Sequence, residues 1–182
     1  MRCQRVEISI HINDIKSHGV HFFCAESCTN VATYGNTYRC TESYSYDAED
    51  KGSYAPSWIA IENTSLLSHA ASVSNLDKSF IYTSAADQDN YAYWGEYAIY
   101  SGGGYVVNLG NSLNSSQTIL ADLMNSGWID MYTRAVFVEF NVFNPGSGLA
   151  TDALVLLEMP TTGDNRWSWR MDIVQLYRYS GL

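Results

Sequence analysis

The sequence predicts an α+β fold in which an antiparallel β-sheet is flanked by helices. Two observations support this class, and a third concerns the number of domains. Residues 5–12 (RVEISIHI) alternate between polar and apolar side chains, as in a strand with one buried face. Residues 133–143 form a long β-branched and aromatic run, and an amphipathic helical pattern lies shortly before it. A chain of 182 residues is most simply one domain with its own core.

The N-terminal segment, residues 1–58, combines the first predicted strand with a loop-rich region that holds every cysteine of the chain. One face of the strand carries Val6, Ile8, Ile10 and Ile12. The clustering of the cysteines predicts disulfide staples in a segment that cannot bury enough apolar surface by itself. Four cysteines permit three pairings, and we favour Cys28–Cys40 with Cys3–Cys24.

A zinc site is the alternative use of these cysteines. Cys24 and Cys28 have a tolerable ligand spacing, and His18 and His21 lie just upstream. Paired CxxC knuckles are absent, however, and the aromatic remainder of the chain is typical of a secreted domain. We therefore expect disulfides, and neither a metal nor another cofactor.

The middle of the chain has a weak pattern from residue 63 to residue 90, where Leu66, Leu67 and Ala70 suggest one short helix. Beyond it, residues 97–100 and 105–109 flank Ser101 and the glycine triplet 102–104. This arrangement predicts a hairpin with a tight or bulged turn. A phosphate-binding loop is disfavoured, because no helix starts directly after the glycines and no Lys-Ser/Thr pair follows them.

A helix is predicted next. Ser115 or Ser116 is a good N-cap, and Gly127 suits the position that follows the C-cap. The face that should pack on the core carries Ile119, Leu120, Leu123 and Met124.

Three strands are predicted in the C-terminal part. The first, residues 133–143, has one fully apolar face and one half-apolar face, so both should be covered at least in part. The apolar run 153–159 indicates a buried central strand. In the last strand an apolar face alternates with polar residues, which predicts a half-exposed antiparallel strand. That face carries Trp167, Trp169, Met171 and Ile173.

Composition excludes several classes of function. The net charge is −9, from 10 Lys and Arg against 19 Asp and Glu, so the basic stripe of a nucleic-acid-binding protein is missing. Binding to an anionic membrane surface is disfavoured for the same reason. No apolar window reaches the roughly 20 residues of a membrane span, and the charged N-terminus does not resemble a signal peptide. If the domain is extracytosolic, we expect the sequence to be part of a longer protein.

No catalytic constellation has local support, so an enzyme is not predicted. Glu139 and Glu158 lie on adjacent predicted strands and could form a carboxylate pair like that of a glycosidase. We favour a structural interpretation, in which each pairs with Arg134, Arg170 or Arg178. The histidines lie away from the strong C-terminal strands: His11, His18, His21 and His69.

Two further groups of polar residues have mainly structural interpretations. Asp47, Glu49 and Asp50 form an acidic cluster without the spacing of a calcium loop, and a solvated loop is expected. Asn63 and Asn114 begin N-glycosylation sequons. Asn114 lies just before the predicted helix, where a glycan would be tolerated.

A series of motifs over residues 40–179 resembles the extracytosolic domain of the polycystins, a family of channels and receptor-like membrane proteins. The strongest are YSGGGYVVNLG (100–110) and WIDMYTRAVFVEF (128–140). Their sequences resemble the larger, receptor-like polycystins more than the smaller channel-forming subunits. The others are Cys40, the tyrosine-acidic stretch 44–50, Tyr54, Trp58, YAYWG (91–95), Pro160, Thr162-Gly163, Trp169 and LYRY (176–179). One departure is the stretch 145–148, where the family usually has an Asn-rich turn followed by Leu-Phe-Cys.

The resemblance implies a single domain over residues 1–182, best matched over 91–179, that lies between the first two transmembrane helices. It also implies helices beside an antiparallel sheet, with a projecting loop or hairpin region stapled by disulfides. It implies a position on the extracellular or lumenal face of the plasma or ciliary membrane. In channel-forming relatives four copies form a ring above the pore. The resemblance thus implies homo- or hetero-oligomeric contact with other polycystin-type subunits, and transmission of extracellular stimuli to a cation channel that could carry calcium.

Exposed aromatic residues would supply the contacts between subunits. The candidate interface residues are Tyr93, Trp94, Tyr100, Gly102, Gly103, Gly104 and Tyr105. The alternative is a structural module, or a carbohydrate- or matrix-binding module, of an extracellular assembly. In that case surface Tyr and Trp rings would serve as platforms for sugars.

Overall fold

The computed structural model describes residues 4–14, 43–61, 75–110 and 112–175. Residues 4–14 are described by their backbone, apart from Ile10. The four cysteines, the zinc alternative, the first sequon, the short helix around residues 66–70 and Arg178 lie outside these ranges. The predictions for them stay predictions.

The described residues form a mostly antiparallel β-structure with a small helical part. Six strands make one sheet in the order β10-β9-β8-β1-β7-β4, and β2-β3 and β5-β6 form two small hairpins. Within these ranges, no helix is both long enough and apolar enough to cross a bilayer. In chain order the elements are β1 (Gln4–Asp14), β2 (Tyr54–Ala55), β3 (Ile59–Ala60), α1 (Asn75–Lys78), β4 (Tyr82–Thr83), β5 (Tyr93–Trp94), β6 (Ile99–Tyr100), β7 (Gly104–Asn108), α2 (Leu113–Asn125), β8 (Thr133–Asn144), β9 (Leu149–Glu158) and β10 (Arg166–Gln175).

The predicted strands at both ends of the chain are confirmed. The first strand, β1, lies inside the sheet, where Ile10 is opposite Val138 of β8 on one side and Val107 of β7 on the other. The long strand β8 extends to Asn144. β9 is central, as expected, but it begins at Leu149 because it pairs with β8 along its whole length.

The hairpin predicted around the glycine triplet is wrong. β6 pairs with β5 in a small hairpin, whereas β7 pairs with β1 and β4 in the large sheet. The triplet therefore connects the small β5–β6 hairpin to the large sheet. Its glycines are needed for close backbone approach, because a Cβ on Gly102 would lie 2.8 Å from the carbonyl carbon and oxygen of Asn90. A Cβ on Gly103 would meet the Tyr82 hydroxyl and, at 3.0 Å, the amide nitrogen of Ala85.

The predicted helix is present as α2, but it begins earlier than expected. Ser112 is the N-cap, and its hydroxyl oxygen accepts a hydrogen bond from the Ser115 amide. The C-terminus is as predicted: Gly127 has a φ of 64°, and its amide donates to the Met124 carbonyl. The Trp128 amide donates to the Leu123 carbonyl, which completes a Schellman motif.

The two faces of the large sheet carry separate apolar cores. One face packs against α2, α1 and the β2–β3 hairpin, with Trp128 buried at its centre. The Trp128 indole donates a 2.8 Å hydrogen bond to the Ser79 carbonyl. The other face packs against the β5–β6 hairpin through Tyr100 and Phe137, whose ring centroids are 5.8 Å apart. Both faces of β8 are thus covered in part, as the sequence predicted.

Candidate interaction surface

The β5–β6 hairpin is held on the sheet by one buried carboxylate, Glu158, which is 2% exposed. Its two oxygens accept hydrogen bonds from the amide of Glu96 at 2.9 Å and the amide of Tyr97 at 3.0 Å. The Tyr100 hydroxyl donates a third, also at 3.0 Å. Burial, followed by the hydrogen bond to Glu158, raises the pKa of Tyr100 well above its ordinary range. Glu158 is therefore a structural anchor.

This anchor agrees with the structural interpretation that we favoured over a carboxylate pair, but the partners differ from those expected. Glu158 is opposite Ala135 on β8, whereas Glu139 is opposite Leu154 on β9, so the register keeps the two glutamates apart. The bonds described above also show that Glu158 is held by backbone amides and a phenol, rather than by the expected arginine. A glycosidase-like pair is not formed by these two residues.

The tip of the same hairpin is tied to the turn that leads into β10. Glu96 forms an exposed ion pair with Arg166, and the Tyr97 hydroxyl donates a 2.8 Å hydrogen bond to Asp164. Each contact joins residues more than sixty positions apart in the sequence. The hairpin and the start of β10 therefore form one connected surface, although exposed ion pairs add little stability.

The hairpin and the preceding loop expose several large apolar side chains. Trp94 is 72% exposed, and Tyr91 and Ile99 are also exposed. Tyr93 is half-buried, because its ring packs edge-on against Phe137 at 5.5 Å. Of the predicted interface residues, Trp94 is therefore the one that presents its side chain openly to solvent.

The other predicted interface residues are buried beneath the surface of the chain. Tyr100 and Tyr105 are buried in the two cores of the chain, and the three glycines of the triplet are buried with them. The Tyr105 ring packs edge-on against Trp58 at 4.9 Å, and its hydroxyl donates to the Gly52 carbonyl. Both tyrosines support the surface from beneath, and their role in a subunit contact stays a prediction.

The acidic cluster at residues 47–50 is also corrected. Glu49 and Asp50 are buried, so these two carboxylates are not part of the solvated loop that the sequence suggested, whereas Asp47 is exposed. Glu49 accepts a hydrogen bond from Ser101, next to the glycine triplet, and Asp50 accepts one from Tyr54 at 2.8 Å. These hydrogen bonds compensate the cost of burying the carboxylates. The bond from Ser101 also holds the segment of the glycine triplet in place.

Tyr44 completes this buried polar group. Its hydroxyl accepts a 3.0 Å hydrogen bond from the amide of Ser101. Burial raises the pKa of Tyr44 to about 12, and the charge of nearby Glu49 contributes in the same direction. The tyrosine therefore stays neutral at physiological pH and acts as a hydrogen-bonding part of the core.

Strand β10 is exposed along its whole length. All ten of its residues are exposed, so the predicted half-burial is wrong. One face carries a row of bulky apolar side chains, with Trp169 at 61% exposed. This apolar row of β10 consists of Trp167, Trp169, Met171 and Ile173. It continues the apolar sheet face of β9, since Trp169 is opposite Val155 and Met171 is opposite Ala153.

The opposite face of β10 borders a half-open cavity of about 310 Å³ beneath the loop at residues 90–93. Charged residues of three strands line it: Glu139, Asp152 and Arg170. Burial, and secondarily the charge of Asp152, raises the pKa of Glu139, while Arg170 acts in the opposite direction. Arg170 also lies over the Tyr93 ring, with its guanidinium carbon 5.9 Å from the ring centroid.

No group of three or more His, Cys, Asp or Glu side chains suitable for a metal ion occurs among the residues that the structure describes. The second sequon is described: Asn114 is exposed in the first turn of α2. The hydroxyl of Ser116, the third residue of that sequon, donates a 3.0 Å hydrogen bond to the Leu109 carbonyl. Glycosylation at Asn114 and at Asn63 stays a prediction.

Together, these observations define a β-rich domain whose accessible features are exposed apolar strands and a shallow polar cavity. The polycystin domain family model matches residues 23–177, which is most of the chain. The chain belongs to the polycystin domain family.

Several curated relatives are polycystins. The chain is 39% identical to polycystin-2 of Danio rerio over 88 residues and 35% identical to polycystin-2-like protein 1 of Homo sapiens over 101 residues. It is 30% identical to polycystin-1-like protein 3 of Mus musculus over 138 residues. These matches cover 48%, 56% and 76% of the chain but 10%, 12% and 6% of the relatives, so the chain spans about a tenth of their length. The predicted closeness to the larger polycystins stays a prediction.

Proposed function

We propose that this chain is the non-catalytic, extracytosolic polycystin domain of a polycystin-like membrane protein. Its role is to hold subunits in contact and to transmit extracellular stimuli to a cation channel. The family match and the names of the relatives support the class of the parent protein. Its place on the extracellular or lumenal face of a plasma or ciliary membrane belongs to the same proposal.

The observation that carries the proposal is the pair of exposed apolar features, Trp94 on the β5–β6 hairpin and the apolar row of β10. Large aromatic side chains left in water are costly for an isolated chain and are the usual anchors of protein interfaces. The ion pair between Glu96 and Arg166 connects the hairpin to the start of β10 on one face of the sheet, and the apolar row of β10 lies on the other face. We infer that both features contact other polycystin-type subunits.

The experiment is co-purification of the secreted chain with the matching segment of zebrafish polycystin-2, together with light scattering of the chain alone. We expect association in at least one of the two measurements. Replacing Trp94 and Trp169 together by serine should abolish it. The matched control is Met124→Ser, which removes an equally exposed apolar side chain from α2 and should leave association intact.

A monomer that binds no polycystin segment would contradict the subunit-contact role. If such a monomer bound glycans through the same two tryptophans, the carbohydrate- or matrix-binding alternative would replace it. The signalling part of the proposal is tested in the full-length protein that carries this chain. There, variants that abolish association should also change the response to an extracellular stimulus, and unchanged currents would contradict that part.

A further inference from the structure

We propose that the half-open cavity between the loop at residues 90–93 and strands β8, β9 and β10 binds an organic cation, in which an ammonium or guanidinium group is joined to an apolar body. The inference goes beyond the proposed subunit contact, because the cavity is lined by residues of a single chain. Three features of the cavity carry it: its excess of carboxylates, its aromatic lining and its preformed shape.

Carboxylates outnumber cations on the sheet face that forms the floor of the cavity. The pairing register places Glu139, Leu154 and Arg170 in one row across the three strands. In the next row Asp152 lies directly opposite Asp172. Like charges at opposite positions of two strands repel each other. These two rows, with three carboxylates and one guanidinium, therefore favour an added positive charge.

The guanidinium of these rows is already engaged. The Arg170 Nε lies 3.0 Å from a carboxylate oxygen of Asp172, and the guanidinium carbon lies 5.9 Å from the centroid of the Tyr93 ring. Burial and then the charge of Asp152 raise the pKa of Glu139, and the attraction of Arg170 only reduces this shift. Glu139 and Asp152 thus keep an excess of negative charge that a bound cation would relieve.

The apolar part of the lining suits the body of such a cation. Phe137 and Leu154 are buried in the floor, whereas Tyr91 and Tyr93 belong to the loop above it. Aromatic rings attract a cation through their faces and cover the hydrocarbon part of an ammonium ion. A cavity of about 310 Å³ lies at the lower end of the range for small-molecule sites, so the ligand is small.

The loop above the cavity is fixed at both ends. The Asn90 amide donates a 3.0 Å hydrogen bond to the Ala85 carbonyl, and the backbone of Asn90 lies against Gly102. At the other end, Tyr93 is the first residue of β5, which pairs with β6. A site formed in the free protein loses little affinity to ordering of its loop. Because Trp94 follows Tyr93, a ligand here would contact the strand that carries this exposed side chain.

Other classes of ligand fit the cavity less well. An anion would meet Glu139 and Asp152, whose charges outnumber that of Arg170 in the lining. For a metal ion, the described part of the chain offers no group of three or more His, Cys, Asp or Glu ligands. An organic cation is therefore the class that the lining favours.

A matched series of probes tests the charge requirement. Phenethylammonium, phenethyl alcohol and phenylacetate share an aromatic ring and differ in charge, and each is titrated into the isotope-labelled chain and followed by NMR. We expect the ammonium ion alone to bind, with a dissociation constant on the order of 1 mM, and to shift the amide signals of residues 90–93 and of β9. Equal binding of the alcohol, binding of phenylacetate instead, no shift with the ammonium ion, or shifts only elsewhere in the chain would overturn the proposal.

Variants of the lining test the residues. Glu139→Gln and Asp152→Asn should each weaken ammonium binding on the order of 10-fold, because each removes one negative charge. Arg170→Gln should strengthen it on the order of 3- to 10-fold, because the guanidinium no longer repels the ligand. The matched control is Asp122→Asn, the same change of charge on the exposed side of α2, which should leave the affinity unchanged. Urea unfolding checks that each variant is folded. An unchanged affinity in either carboxylate variant, or weaker binding by Arg170→Gln, would contradict the assignment.

The cation has two possible sources, a free ligand and a basic side chain of a neighbouring copy. Light scattering with and without saturating phenethylammonium distinguishes them, and both results retain the site. If the ammonium ion separates associated copies, the cavity holds a lysine or arginine of the neighbour. An unchanged oligomeric state indicates a free ligand.

The proposed function fails separately from this site. A chain that binds the ammonium ion but associates with no polycystin segment would retain the cation site and lose the subunit-contact role. A chain that associates through Trp94 and Trp169 but binds no ammonium ion would do the reverse.

Discussion

The hydroxyl of Tyr100 donates a 3.0 Å hydrogen bond to a carboxylate oxygen of Glu158, and both side chains are buried. The bond joins the β5–β6 hairpin to the end of β9. Gly95 lies against the same pair, where a Cβ would be 2.7 Å from a ring carbon of Tyr100. The position of the exposed Trp94 therefore depends on this buried contact beneath it.

Replacing Glu158 by glutamine should destabilise the domain by about 2 kcal/mol or more. The glutamine amide keeps one acceptor oxygen. Its NH₂ group, however, would face at least one of the N–H or O–H groups that now donate a hydrogen bond to the carboxylate. The measurement is the free energy of unfolding in urea. The control is Glu96→Gln, which removes only an exposed ion pair and should cost about 1 kcal/mol or less. Equal losses in the two variants would contradict the anchoring role.

Replacing Gly102 by alanine should cost about 1–3 kcal/mol, because the added methyl group would overlap the backbone of Asn90. Thermal unfolding gives the comparison with Gly146→Ala. At Gly146 the nearest atom to a new Cβ is a side-chain oxygen of Asn144 at 3.4 Å, so little change is expected. Equal melting temperatures for both variants and the parent would show that position 102, between the β5–β6 hairpin and the large sheet, tolerates a side chain.

Replacing Glu139 by glutamine should stabilise the domain at pH 7. Burial raises the pKa of Glu139 in the folded protein, so this residue supports folding while protonated and loses that support as pH rises through the folded pKa. Glutamine cannot ionise and avoids the loss. Below the ordinary pKa of a glutamate the two proteins should be nearly equal in stability.

Urea unfolding at about pH 3.5 and pH 7 checks this sign. Asp122→Asn, an exposed change on α2, provides the control and should show no such difference. A Glu139→Gln variant that is less stable than the parent at pH 7 would mean that attraction to Arg170 outweighs burial.

The disulfides Cys28–Cys40 and Cys3–Cys24 remain predictions, and peptide mapping without reduction would identify the pairs. If the first is formed, Cys40→Ser should lower amide protection in residues 43–61 more than in β8 and β9, because the staple holds the adjacent segment. Hydrogen exchange followed by mass spectrometry measures both regions. Equal protection in the variant and the parent would contradict the pairing.

The sequence predicted the long strands and the end of the helix because their signals are local. The apolar run of β8 and the glycine at position 127 each specify their conformation within a few residues. The start of α2 was misplaced by the serines at 112, 115 and 116, since each has a hydroxyl that can cap a helix.

The errors in the candidate site came from contacts between distant residues. Tyr100 and Tyr105 flank a glycine triplet at hairpin spacing, and nothing local shows that they belong to different sheets. The burial of Glu49 depends on Ser101, fifty-two positions away. The full exposure of β10 could not be predicted from the sequence either. An alternating pattern predicts one buried face, but it does not show whether a helix or a second sheet covers that face.

The place of β1 in the middle of the sheet has a consequence for folding. Ile10 must meet Val138, so the earliest strand of the domain pairs with one that is synthesised more than a hundred residues later. Such distant pairings slow folding, since a long loop must close before any contact compensates its entropy. During synthesis one edge of β1 can pair with β7, but the edge that pairs with β8 stays open, and in that interval it is accessible to wrong partners and to chaperones. Quality control of the nascent chain should therefore act most strongly before β8 emerges.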